Sequence, residues 1–198
     1  SYITKGYITS EQLVNLYLDR INTYNEKYNA IRFINEDAIK EAKALDEKLA
    51  SGEIVGPLHG IPIVVKTNID VKGIPTTAGA KALEDNYPNS DAAVIKKLKD
   101  AGAIIIATTN MSEFAFMAGN SYSSYGQVLN AYNPLYTPYG SSGGSAVSVA
   151  ASFGAAALGT DTNSSVRVPA SAANLVGIRP TVGLLSSTGV IPYDITRD

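Results

Sequence analysis

Apolar residues recur at helical spacing from the start of the chain. Leu13, Leu16, Tyr17, Ile21 and Tyr24 share one face behind Thr9 and Gln12, a capping-box pair, and predict a surface helix over about 10–28. A second amphipathic stretch, NEDAIKEAKALDEKLASG, lines up Ala38, Ile39, Ala42, Leu45 and Leu49 and stops at Gly52, a residue suited to a helix C-terminus. Both carry charged outer faces, as solvated helices packing on a core do.

The period then changes. Ile61 to Val65 is a short run rich in β-branched residues between Gly60 and Thr67, which predicts a buried strand terminated by Lys66. SDAAVIKKLKDAG predicts a short helix capped by Ser90 and closed by Gly102, and AIIIATTN from 103 predicts a second apolar strand. Strand, helix, strand implies an α/β layer architecture with part of its sheet parallel. Beyond position 113 only six of the 34 charged residues remain (Asp161, Arg167, Arg179, Asp194, Arg197 and Asp198), so the last 85 positions are expected to be the buried half. No internal repeat and no linker divides the chain, and 198 residues suffice for one domain with a substantial core.

Composition narrows the chemistry. A formal net charge of −2 without a basic run lacks the footprint of a nucleic-acid binder, which points to a small or neutral substrate. The absence of cysteine removes thiolate nucleophiles and cysteine-ligated metals, and with one histidine, His59, no metal site is expected. The start SYITKGYITSEQL has no export-signal pattern, and the uncharged window from Phe114 to Thr160 is interrupted by Asn130, Asn133, Pro134 and Pro138. A soluble, cytoplasmic protein is the expectation.

The stretch YGSSGGSAVSVAASFGAAALGTDTNSSVRVPA (139–170) carries no charge before Asp161. Its glycines fit neither a P-loop nor a dinucleotide loop, so nucleotide binding is disfavoured. Composition alone leaves GSSGG evenly open between a linker or structural turn and a catalytic segment, but Ala146, Val147, Val149, Ala150, Phe153, Ala156, Ala157 and Leu158 follow as an apolar segment, suiting a closely packed central helix. A serine nucleophile here would need a base. His59 in PLHGIP reads as structural; the other candidate is a lysine neutralised by burial, and Lys66 directly follows an apolar strand.

GIPIVVKTNIDVKGIPTTAGA, AGAIIIATTNMSEFA, NAYNP, GSSGGSAVSVAA, ALGTDTNSSVRVPASAANLVGIRPTVGLLSSTGVIP and the closing Asp198, in this order and spacing, resemble the amidase signature family over about residues 50–198. The resemblance implies a mixed β-sheet core covered by helices on both faces, with no cofactor. It also implies a Ser-Ser-Lys triad: Lys66 as base, Ser141 as bridging serine behind a cis peptide bond, and Ser165 as nucleophile. Backbone N–H groups of Thr162, Asn163, Ser164 and Ser165 would hold the oxyanion, and the substrate would be a small-molecule amide, with neither nucleic acid nor membrane as partner and a homodimer left open.

Two departures stand out. Where the family usually has two glycines before the nucleophile, this chain has Asn163 and Ser164, and Arg179 replaces a common lysine at a position read as structural. Arg167 is expected to pair with Asp161 rather than with a substrate carboxylate. Family members are typically more than twice as long, so the chain is expected to be an N-terminal portion of one amidase-type domain. VRVPA and PTVGLLSSTG favour a free-standing amidase, with the glutaminase component of a tRNA-dependent amidotransferase and a non-catalytic scaffold as alternatives.

Overall fold

The computed structural model describes all 198 residues. In chain order its regular elements are α1 (Ser10–Tyr28), β1 (Ile31–Ile34), α2 (Ala38–Ala50), β2 (Pro62–Lys66), α3 (Ala93–Asp100), β3 (Ile104–Thr109), β4 (Tyr122–Ser123), β5 (Gly126–Gln127), α4 (Gly143–Ala150), β6 (Ala156–Leu158) and α5 (Arg167–Ala172). Four strands form a mixed sheet in the order β1-β3-β2-β6, with β2 parallel to both neighbours and β1 antiparallel to β3, while β4 and β5 pair as a separate ribbon.

Alternation along the strands divides the core between two faces. Val64, Ile104 and Ile106 join Val14 and Ile21 of α1, Ala38 and Ala42 of α2, and Val147 of α4 in one cluster. Ile63, Val65 and Ile105 join Ile95 of α3 and Ile69, Val71 and Ile74 in the other. Helices therefore cover both faces, the mixed α/β arrangement expected from the sequence.

The ends of α1 and α2 follow their sequence signals. Thr9 and Gln12 make both capping-box hydrogen bonds. At the far end of α2, the Gly52 N–H donates to Leu49 O and the Glu53 N–H to Lys48 O, a Schellman closure with Gly52 at φ +88°.

Several local expectations need correction. In α1 the buried line is Ser10, Val14 and Ile21, whereas Leu16 is 60% exposed and Leu13 only half-buried. Helix α3 begins at Ala93 and is not capped by Ser90. The preceding backbone is engaged elsewhere, the Ala92 N–H donating to Asp70 O and the Ala93 N–H to Thr188 O, while the Asp91 carboxylate accepts from the Lys72 N–H and pairs with Lys99. The segment after SSGGS does not continue as one helix: α4 ends at Ala150, Ser152 adopts φ +58°, and residues 156–158 form β6.

Nor are the last 85 positions a buried half. Gly143 to Ser148 are buried, but Val176 is 89% and Ile178 77% exposed, with Leu184 and Leu185 also exposed. Lack of charge signals apolar surface, not its burial. β6 lies at the edge of the sheet, against a cleft of about 500 Å³ lined by Val149, Ala157, Leu158, Val176, Ile178 and Leu185 among others. No helix is long and apolar enough to cross a membrane.

GSSGG is not a tether. A Cβ on Gly144 would stand 2.1 Å from Asn110 O and 2.7 Å from Ala30 O, so α4 packs directly on the backbone of two other segments. Gly144→Ala is expected to cost about 1–3 kcal/mol of stability through this overlap, seen as a lower denaturant midpoint; an unchanged midpoint would mean the contact gives way freely.

Candidate active site

Strand β2 is central because both its neighbours pair with it in parallel, and all five of its residues are buried. Its last residue is Lys66. The Lys66 ammonium loses its water to this burial, which pulls its pKa from 10.5 down to about 7, although Asp198 and Asp161 act in the opposite direction. The amine nevertheless has partners: Lys66 Nζ lies 2.7 Å from Ser141 Oγ and 2.7 Å from Thr160 Oγ1. Such a lysine is held ready to exchange a proton at neutral pH.

Ser141 is itself fully buried and follows a cis Gly140–Ser141 peptide bond. Its carbonyl accepts from the Ser112 N–H. The next residue links three segments: the Ser142 N–H donates to Ser165 O, and Ser142 Oγ donates to Thr160 O and accepts from the Thr160 N–H. The turn that starts α4 is thereby tied to the approach to Ser165.

Between Thr160 and α5 the chain wraps around one carboxylate. Asp161 accepts from the N–H groups of Val166 and Arg167 at 3.0 and 3.2 Å, and from Arg167 Nε and Nη2 at 3.1 and 3.0 Å. Arg179 Nε approaches the same carboxylate at 3.6 Å and donates to Asp161 O at 2.7 Å. Burial pushes the Asp161 carboxyl up, but the hydrogen bonds from Arg167 and Val166 outweigh it and hold its pKa below the usual carboxylate range. The expected pairing of Arg167 with Asp161 is present, and Arg179 serves the same loop.

Inside this loop the N–H groups of Thr162, Asn163, Ser164 and Ser165 donate to no protein acceptor. Four consecutive free amides, the last of them that of the buried Ser165, make an anion-binding turn available. Asn163 and Ser164 both keep negative φ, so neither occupies the left-handed region in which glycine would be needed. Thr162 Oγ1 donates to the Asp198 carboxylate, which also accepts from the N–H groups of Tyr193 and Asp194.

The sequence-derived residues are thus joined unequally. Lys66 and Ser141 are in direct contact; Ser165 is buried and tied to Ser142 through its carbonyl, but its Oγ makes no hydrogen bond to the protein. His59 is structural: its Nδ1 accepts from the Val55 N–H, and the Nε2–H therefore donates to Leu45 O. No group of three or more His, Cys, Asp or Glu side chains gathers at a point that could hold a metal. Sequence reasoning missed Thr160, Asn68 and Ser142. Their signal was proximity to the candidate residues, two positions after Lys66 for Asn68, five before Ser165 for Thr160 and one after Ser141 for Ser142.

A family model described as Amidase matches residues 12–198. The chain belongs to the amidase signature family. Within that family it is 42% identical to a glutamyl-tRNA(Gln) amidotransferase subunit from Alkaliphilus metalliredigens, over 99% of this chain and 41% of that protein. Among solved structures it resembles the peptide amidase of Stenotrophomonas maltophilia with a TM-score of 0.91 and 39% identity, covering 98% of this chain and 41% of the other. A bacterial aryl acylamidase matches with a TM-score of 0.81 and 28% identity, over 85% of this chain and 36% of that one. The chain spans about two fifths of the length of the curated relatives it matches.

Proposed function

We propose that the protein is an amidohydrolase that cleaves a carboxamide C–N bond through an acyl-enzyme on Ser165. The observation that carries this reading is the buried Lys66 in direct contact with Ser141. Neutral Lys66 takes the Ser141 proton as Ser141 takes that of Ser165, and Ser165 Oγ attacks the amide carbonyl. The oxyanion is met by the free amides of residues 162–165, each worth about 3–4 kcal/mol to the transition state when water is excluded. The proton returns through the same groups to the departing nitrogen, ammonia or an amine leaves, and water then hydrolyses the acyl ester.

The domain is proposed to be larger than these 198 residues. The open edge of β6 and the exposed apolar residues 176–185 are surface that a monomeric protein normally covers. None of Lys66, Ser141 and Ser165 lines the cleft beside β6, which favours it as a packing face over an acyl pocket.

A second reading, the glutamine-hydrolysing component of a tRNA-dependent amidotransferase, is favoured by the relatives named as glutamyl-tRNA(Gln) amidotransferase subunits at 42% and 44% identity. Glutaminase activity that appears only with added partner proteins would select it. For the primary reading, a fluorophosphonate probe followed by digestion and mass spectrometry is expected to find its label on Ser165. Label on Ser164 would reassign the nucleophile, and a folded protein without label would leave a non-catalytic scaffold.

A further inference from the structure

Lys66 Nζ has two oxygen partners, and only Ser141 belongs to the proposed relay. The other, Thr160 Oγ1, also accepts from Asn68 Nδ2 at 3.2 Å. Asn68 is fixed in turn: its Nδ2 donates to Ile191 O at 3.1 Å and its own backbone carbonyl accepts from the Ile191 N–H. Because Ile191 O can only accept, the side-chain amide faces Thr160 with its NH₂ group, and one lone pair of Thr160 Oγ1 is committed to it. Ser142 Oγ fixes the Thr160 backbone, donating to its carbonyl and accepting from its N–H.

A neutral primary amine carries two N–H donors and one lone pair. It acts as a base towards Ser141 only when that lone pair faces Ser141 Oγ, which requires the neighbouring hydroxyl to take an N–H. We infer that Thr160, held by Asn68, is a positioning residue that accepts an N–H of Lys66 and so turns the lysine lone pair onto Ser141. This rests on Lys66 being the base of the proposed relay. The same acceptor favours the ammonium form, in the same sense as Asp161 and Asp198, the charged groups that act on this lysine; Arg167 and Arg179 engage Asp161 and moderate its share.

The test compares Thr160→Val, which keeps the shape and removes the hydroxyl, with Thr160→Ser, which restores it. Two readouts are taken: the pH profile of fluorophosphonate labelling at Ser165, and the titration of the Lys66 ε-methylene followed by ¹³C NMR, its signal assigned by its loss in Lys66→Met. Thr160→Val is expected to label about 10- to 100-fold more slowly and to titrate about one pH unit lower, with Thr160→Ser returning both towards wild type. If Thr160→Val does not fold, Thr160→Ala carries the same expectation. Wild-type labelling and titration in the variant would overturn the inference while leaving the relay intact. A wild-type protein that takes no label at all would remove the relay, and the inference with it.

Discussion

Replacing Lys66 by methionine is expected to slow amide hydrolysis by about 10²–10⁴-fold and at the same time to stabilise the fold at neutral pH. The activity loss follows from removing the base nearest the hydroxyl relay, 2.7 Å from Ser141 Oγ. The gain in stability follows from where the lysine sits. Held at about 7 in the folded protein against 10.5 in a solvated chain, it withholds a proton that the unfolded chain binds, a penalty of roughly 4–5 kcal/mol at and below pH 7. Methionine has nearly the same shape and no charge to desolvate, although it leaves the Ser141 hydroxyl without a partner, at about 1–3 kcal/mol, while Thr160 keeps its hydrogen bond from Asn68. A net gain of a few kcal/mol remains, of the kind expected when a site trades stability for activity.

The pH dependence makes this separable from ordinary core effects. Since the folded-state pKa is depressed, wild-type stability falls as pH drops from about 10.5 towards 7 and is level below that, as far as this group is concerned. The advantage of Lys66→Met should therefore be largest at pH 7 and shrink as pH rises to 10, as read from denaturant midpoints. Over the same range wild-type kcat/KM should rise through about pH 7, where the lysine loses its proton. A variant less stable than wild type at pH 7, with no narrowing towards pH 10, would show that Lys66 is held as a stabilising cation and could not serve as the base.

The sequence made some of this arrangement legible because the relevant signals were local. Thr9 with Gln12 and the Gly52 closure of α2 depend on neighbours in the chain, and the runs at 61–65 and 104–108 are β-branched enough to be strands whatever surrounds them. Lys66 stands out because its charge ends an apolar run. What escaped was set by tertiary contacts: Ser90 fails as a cap because Asp70 and Thr188 claim the next N–H groups, and the face of α1 turns towards Val14 because the sheet lies there. Thr160 and Asn68 carry no local mark beyond standing near Ser165 and Lys66, since their role comes from contacts the fold sets: Thr160 meets Lys66 across 94 positions of chain, and Asn68 meets Thr160 across 92. Asn163 and Ser164 both lie outside the positive-φ region, so the loop calls for no glycine at either position.

That loop depends on Asp161, and Asp161→Ala is expected to be the most damaging single change outside the relay. Its side chain is only 3% exposed and accepts from two backbone N–H groups and the Arg167 guanidinium, with Arg179 close by. Alanine would leave the Val166 and Arg167 N–H groups unanswered, while the half-exposed Arg167 guanidinium turns to water, for about 2–5 kcal/mol of lost stability. Labelling of Ser165 should fall by about 10²-fold or more, because the amides of 162–165 are aimed only while the turn is wound around the carboxylate. Arg167→Ala should be far milder, about 1 kcal/mol or less, since that side chain is 48% exposed and leaves Asp161 with Arg179 and both N–H donors. Denaturant midpoints and labelling rates for the two variants decide the point. If Asp161→Ala labels within a few-fold of wild type, the turn is shaped by its own backbone and the carboxylate serves only to neutralise two arginines; if both variants lose labelling equally, the ion pair with Arg167, and not the backbone hydrogen bonds, sets the loop.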